Sequence, residues 1–140
     1  MYVFRTLLIF VAGILSPLLD SQSEERAKNI SHQGDTFCDR TLVVYQSGTA
    51  SWYGAQFHGK TMANGHPFNM HALTVAHRKL PLGTPVCVTN PENGKQVGAY
   101  VTDRGPYVHP RVIDLSYRVA SELGITVRGH AHVVISVLVA

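Results

Sequence analysis

The sequence predicts a mostly β domain, a small barrel, over residues 48–140. Short β-prone runs recur between Gly and Pro breaks, only one segment shows clear helical periodicity, and roughly a hundred residues hold them all. At 140 residues, 45% hydrophobic and 15% charged, the chain has room for one domain and a short appendage.

Taken in order, Met1 to Arg5 is a short basic start and Leu7 to Leu19 an apolar run too short for a comfortable membrane span. Together they read as a secretory signal peptide over residues 1–23, cleaved after Ser23 and leaving no stable membrane anchor. Residues 24–47 read as a flexible leader, polar and aperiodic from Glu24 to Arg40, in which β-branched, apolar Thr41 to Tyr45 could add an outer strand. Ser47-Gly48 marks the start of the compact domain, and Thr49 to Tyr53 is its first strand. Ala72 to His77 suggests a short helical turn. Val86 to Thr89 and Gln96 to Thr102 flank Asn90-Pro91-Glu92-Asn93-Gly94, a hairpin signal whose Asn-Gly supplies positive φ. The helix is expected around Leu115, Val119, Ala120 and Leu123, with Asp114 or Ser116 as N-cap and Gly124 as its stop. Val133 to Val139 is nearly all apolar, as a barrel-closing strand would be.

The net charge of +3 survives loss of the signal peptide, which removes Arg5 and Asp20 together. A mildly basic exported domain suits an anionic partner such as a wall or membrane surface. No basic cluster with interleaved aromatics is present, which argues against nucleic acid. Cys38 and Cys87 are the only cysteines. Export permits a bridge between them, although spacing alone does not set their Cα separation. Cys38 lacks the apolar and small residues that precede a lipoprotein cysteine.

The chemistry centres on Asp103, which ends an alternating apolar strand just before Gly105-Pro106. A lone strand-end aspartate is ordinarily a turn or cap residue. Here Arg104 stands ready to orient an anionic group and Tyr107 to stack on a sugar or peptide, so Asp103 reads as a cleft acid. Asp114, before the helix, reads as a structural cap. His66, His71 and His77 match neither a helical ligand pair nor the common zinc spacings, so no metal or other cofactor is expected. His130 and His132 share one face of a strand, a solvated one. Trp52, Tyr53, Phe57 and Phe68 serve either as core and rim or as a sugar-stacking platform.

Gly48-Thr-Ala-Ser-Trp-Tyr-Gly54, Ala63-Asn-Gly65, Leu73-Thr-Val-Ala-His77, Asp103-Arg-Gly-Pro-Tyr107 and Arg111-Val-Ile-Asp-Leu-Ser-Tyr117 resemble, in order, the rare lipoprotein A (RlpA-like) family. The resemblance implies a six-stranded double-psi β-barrel of the kind found in expansins and barwin-like proteins, with one or two short helices. It also implies a lytic transglycosylase that cleaves MurNAc–GlcNAc bonds of peptidoglycan glycan strands and leaves 1,6-anhydro-MurNAc ends. By the same resemblance and its signal peptide the protein is expected in the periplasm or secreted, and a monomer is expected. Asp103 matches the family's catalytic aspartate and His77 a histidine of the same cleft. The glutamate that follows Ala-Asn-Gly in the family is here His66, counted with the catalytic set. Trp52, Tyr53, Asn64, Arg104 and Tyr107 are the expected substrate contacts. Because His66 lacks a carboxylate, the alternative is a non-catalytic wall-binding or wall-loosening module. The absence of a lipobox cysteine and of a C-terminal repeat domain implies a soluble, single-domain form.

Overall fold

The computed structural model describes residues 37–139. The expected signal peptide, residues 1–23, and the leader as far as residue 36 lie outside the described residues. The strands are β1 (Leu42–Tyr53), β2 (Thr74–Ala76), β3 (Pro85–Asn90), β4 (Lys95–Asp103), β5 (Arg111–Ser116) and β6 (His130–Leu138). A 3-10 turn, Ala55–Phe57, follows β1, and helix α1 (Tyr117–Glu122) follows β5.

The six strands close into a barrel in the order β1-β5-β2-β4-β3-β6. β1/β5 and β2/β4 are parallel and the other neighbouring pairs antiparallel. Parallel neighbours cannot be joined by a tight hairpin, so short β2 is held between two strands that come later in the chain. This mixed, closed six-stranded architecture is the expected double-psi β-barrel.

Side chains alternate as a barrel wall requires. In β6, Ala131, Val133 and Ile135 are buried while His130 and His132 are exposed. Val75, Val86, Val88, Val101, Ile113 and Leu115 fill the interior from the other strands, and Val119 and Ala120 of α1 join the same core. Each such aliphatic side chain contributes about 1.5–3 kcal/mol on burial. Asn90 faces Lys95 across the β3/β4 hairpin, with Gly94 at φ +73° completing the turn.

Four sequence expectations are refined by tertiary pairing. β1 is continuous from Leu42, so residues 42–47 belong to the barrel; Leu42 and Val43 pair with Leu138 and Val137. Thr74–Ala76 is a strand, not a helical turn, because β4 and β5 hydrogen-bond both of its edges, a tie that a six-residue isolated helix has no means to outcompete. Leu115 lies in β5, and α1 begins two residues later with Ser116 as its N-cap, the Ser116 hydroxyl accepting from the Val119 amide at 3.2 Å. Asp114 is therefore a strand residue and does not cap the helix. Cys38 and Cys87 form a disulfide with Cα atoms 5.3 Å apart, tying the segment before β1 to the buried β3.

Candidate active site

Four residues remote in sequence fall into one row across the barrel wall. Ser51 of β1 is opposite Asp114 of β5, Asp114 is opposite Ala76 of β2, and Ala76 is opposite Asp103 of β4. Cross-strand partners project to the same face, and all four line a cleft of about 460 Å³. The two aspartates thus flank an alanine. Their Cα atoms are two strand spacings apart, roughly 10 Å, and the Ala76 methyl leaves the floor between them open.

The Asp103 carboxylate is oriented by backbone. Its Oδ1 accepts from the amides of Ala63 and Arg104, both at 2.9 Å, while its other oxygen receives no hydrogen bond among the described residues. The Ala63 donor sits in a tight loop: Asn64 Oδ1 accepts from the His66 amide at 3.0 Å, the Asn64 amide donates to Thr102 O at 3.2 Å, and Gly65 has φ +86°. That loop serves the carboxylate through its backbone. The His66 side chain is exposed and outside the cleft lining, and Asn64 is likewise not part of it.

Asp114 is held through side chains. Ser51 Oγ donates to Asp114 Oδ1 at 2.6 Å, Arg111 Nη1 donates to Ser51 Oγ at 2.6 Å, and the same guanidinium nitrogen is 3.7 Å from Asp114 Oδ1. Sequence reasoning placed Asp114 at a helix cap and so missed it as a cleft carboxylate, together with Ser51 and Arg111. The available signal was the alternation of Ile113 and Leu115 around it, which marks a strand with Asp114 on the opposite face.

The aromatics form one wall. Tyr53 packs against Phe68 at 4.5 Å and Phe57 at 5.7 Å between ring centroids. Phe68 is buried, Lys60 Nζ lies 5.3 Å over the Phe57 ring, and Trp52 and Tyr53 are half-buried along the cleft. Trp52 packs edge-on to Tyr117 at 5.5 Å and touches the core while lining the cleft. The Tyr53 phenol is pushed well above its usual range, first by burial and then by the charges of Asp103 and Asp114. It remains protonated and does not compete with the carboxylates as a base.

Arg104 lines the cleft, but its Nη1 donates to the carbonyls of His77 at 3.1 Å and Leu80 at 2.6 Å. It pins the turn after β2. Tyr107 is 78% exposed and stands outside the cleft lining. The ring of His77 does not join Asp103 either. It is 2% exposed and faces a separate groove, with Nδ1 accepting from the Lys79 and Leu80 amides at 3.1 Å and Nε2 2.8 Å from Gln46 Oε1. Burial first, then the charges of Arg78, Arg104 and Lys79, lowers its pKa and keeps it neutral. Its main-chain amide, by contrast, donates to Asp103 O at 3.2 Å.

Comparison with known proteins agrees with this architecture. Residues 45–135 match the lytic transglycolase family. The chain is 47% identical over 117 residues to the endolytic peptidoglycan transglycosylase RlpA of Neisseria meningitidis serogroup A, covering 84% of this chain and 49% of that one. It is 48% identical over 98 residues to a probable endolytic peptidoglycan transglycosylase RlpA of Synechocystis, covering 70% of this chain and 30% of the relative. The RlpA of Pseudomonas aeruginosa strain UCBPP-PA14 is 51% identical over 86 residues, covering 61% and 25%. The chain thus spans about half the length of these relatives or less. Among solved structures, the Streptomyces papain inhibitor SPI shares the fold, with a TM-score of 0.52 and 23% identity over 71% of this chain and 100% of that one. The family match takes in all six strands at least in part and the whole Ser51–Asp114–Ala76–Asp103 row, and the chain belongs to the lytic transglycolase family as an RlpA-like double-psi β-barrel.

Proposed function

We propose that this domain is an endolytic lytic transglycosylase acting on peptidoglycan glycan strands outside the cytoplasm. The observation that carries the proposal is the pair of aspartates flanking Ala76 in an aromatic-walled cleft, in a family whose relatives are named as peptidoglycan transglycosylases. Asp103 acts as the acid and base. Protonated, it donates to the glycosidic oxygen as the C1–O4 bond breaks; the carboxylate left behind then takes the proton from the sugar's own C6 hydroxyl as that oxygen bonds to C1. Atoms balance without water, and Asp103 ends in the state in which it began.

Asp114 is the second carboxylate. Its charge, held by Ser51 and Arg111, faces the developing oxocarbenium ion from across the row, where a fixed negative charge lowers the barrier. His66 then has no acid to replace. It is a rim residue on the loop that orients Asp103 through the Ala63 amide. His77 is a positioning residue whose amide holds Asp103 O, while Trp52 and Tyr53 bear the sugar ring. Asn64 and Arg104 keep the surrounding loops in place, and Tyr107 is available to the strand beyond the cleft.

Purified glycan strands incubated with the protein should yield 1,6-anhydro-MurNAc ends by mass spectrometry, with loss in Asp103→Asn. The absence of anhydro product from the wild-type protein, or equal product from the variant, would refute this assignment. His66 in place of glutamate favours the second reading, a non-catalytic wall-binding barrel. That reading expects peptidoglycan pull-down unaffected by Asp103→Asn and weakened by Trp52→Ala.

A further inference from the structure

The cleft that holds the two aspartates is also lined by three cations, and they are not equivalent. Arg111 donates to Ser51 Oγ beside Asp114, and Arg104 donates to the carbonyls of His77 and Leu80. The Lys60 ammonium makes no hydrogen bond or ion pair among the described residues, where the three salt bridges belong to Arg111, Arg118 and Arg128. Arg78 and Lys79 line the separate groove instead.

Local structure fixes where Lys60 stands. The Gly59 amide donates to Phe68 O at 2.8 Å, the Phe68 amide donates to Lys60 O at 2.7 Å, and Thr61 bridges Pro67, so residues 59–68 form a narrow two-stranded loop. Lys60 is at its base, with its own amide donating to Phe57 O at 3.0 Å. Nearer the tip, the Ala63 amide donates to Asp103 Oδ1 at 2.9 Å. Three residues span at most roughly 11 Å of backbone, so the donor that orients the acid and the cation belong to one short loop facing one cleft. The ammonium rests 5.3 Å over the Phe57 ring, a contact that places the charge without engaging its N–H donors.

We propose that Lys60 is the specificity-determining residue of the cleft, pairing with the lactyl carboxylate of N-acetylmuramic acid. The choice of ligand rests on the proposed function. The two sugars of the strand differ only in that 3-O-lactyl ether, so its carboxylate is the group by which a site tells them apart. Two aspartates in the same cleft work against a carboxylate brought near them. Arg104 and Arg111 are already committed, and the counter-charge falls to Lys60. Its flexible stem and point charge suit an anion that itself hangs on rotatable bonds. A lactyl group closed into an amide is uncharged and forfeits the pair.

The test is a titration of the full chain, followed by amide resonances, with three disaccharides: GlcNAc–MurNAc, its lactyl methylamide, and diacetylchitobiose. None contains the MurNAc–GlcNAc bond that the proposed reaction cleaves, so binding is read apart from turnover. GlcNAc–MurNAc should bind at least about tenfold more tightly than the other two. Lys60→Gln should bring it down to their level while diacetylchitobiose binds as to wild type, and Lys60→Arg should keep a preference for the acid. Equal affinity of wild type for the acid and its methylamide, no saturable response to the acid, a preference that survives Lys60→Gln, or one lost in Lys60→Arg overturns the proposal. A wild-type protein that prefers the acid yet yields no anhydro ends would count against the proposed reaction and leave the role of Lys60 standing.

Discussion

The cleft and the groove share the His77–Leu80 turn and handle charge in opposite ways. In the cleft, two carboxylates stand among cationic and hydroxyl partners: Asp114 is bonded to Ser51 beside Arg111, and Asp103 is held by two amides. In the groove, Arg78 and Lys79 make no ion pair among the described residues, and the buried His77 ring is kept neutral. Acid–base chemistry of the proposed kind needs its charges balanced and oriented before substrate arrives. The groove instead keeps its cations at the surface around one buried ring. The same turn supplies both because its carbonyls face Arg104 while the His77 ring faces Gln46.

The strongest way to break this contrast is to remove the acid. Asp103→Asn should lower the rate of anhydro-end formation by about two to four orders of magnitude, measured by mass spectrometry of released glycan, with the melting temperature nearly unchanged because Oδ1 is retained as an acceptor. Asp114→Asn comes next, with a fall of about a hundredfold; a loss as large as that of Asp103→Asn would exchange the two roles.

On the groove side the expected effect is on stability. His77→Leu leaves the Lys79 and Leu80 amides without their acceptor and should cost about 2 kcal/mol or more. A pH dependence accompanies it. The folded-state pKa of His77 is lowered, so below the ordinary histidine value of about 6.5 the unfolded chain binds a proton that the folded one resists. This contribution to stability is complete above that value and is lost as pH falls towards the folded pKa. Melting temperature measured against pH should show the decline in wild type, and a smaller one in His77→Leu. The smallest effect belongs to His66→Glu, which should change the rate less than about threefold, since the side chain lies outside the cleft lining. A gain of a hundredfold would return position 66 to the catalytic pair.

Much of this molecule is legible along the chain. The β3/β4 hairpin follows from Asn93-Gly94, whose backbone suits the tight turn. The apolar run of β6 marks a barrel wall, and Asp103 stands out as a cleft residue where its strand ends before Gly105-Pro106. Local signals work for these features because turn geometry and alternation depend on neighbours a few residues apart. They misled at Thr74–Ala76, whose strand state comes from β4 and β5 on either side. They misled again at Asp114, where a polar residue before a helix looks the same whether it caps or lines a cleft.

The sequence by itself determined the fold class and the family, since each is carried by contiguous residues and their spacing. Tertiary structure decided which residues meet. Barrel closure sets Ser51, Asp114, Ala76 and Asp103 in one row, and it turns the His77 ring away from Asp103 towards Gln46. Register between strands that are far apart in the chain is fixed by cross-strand pairing and core packing.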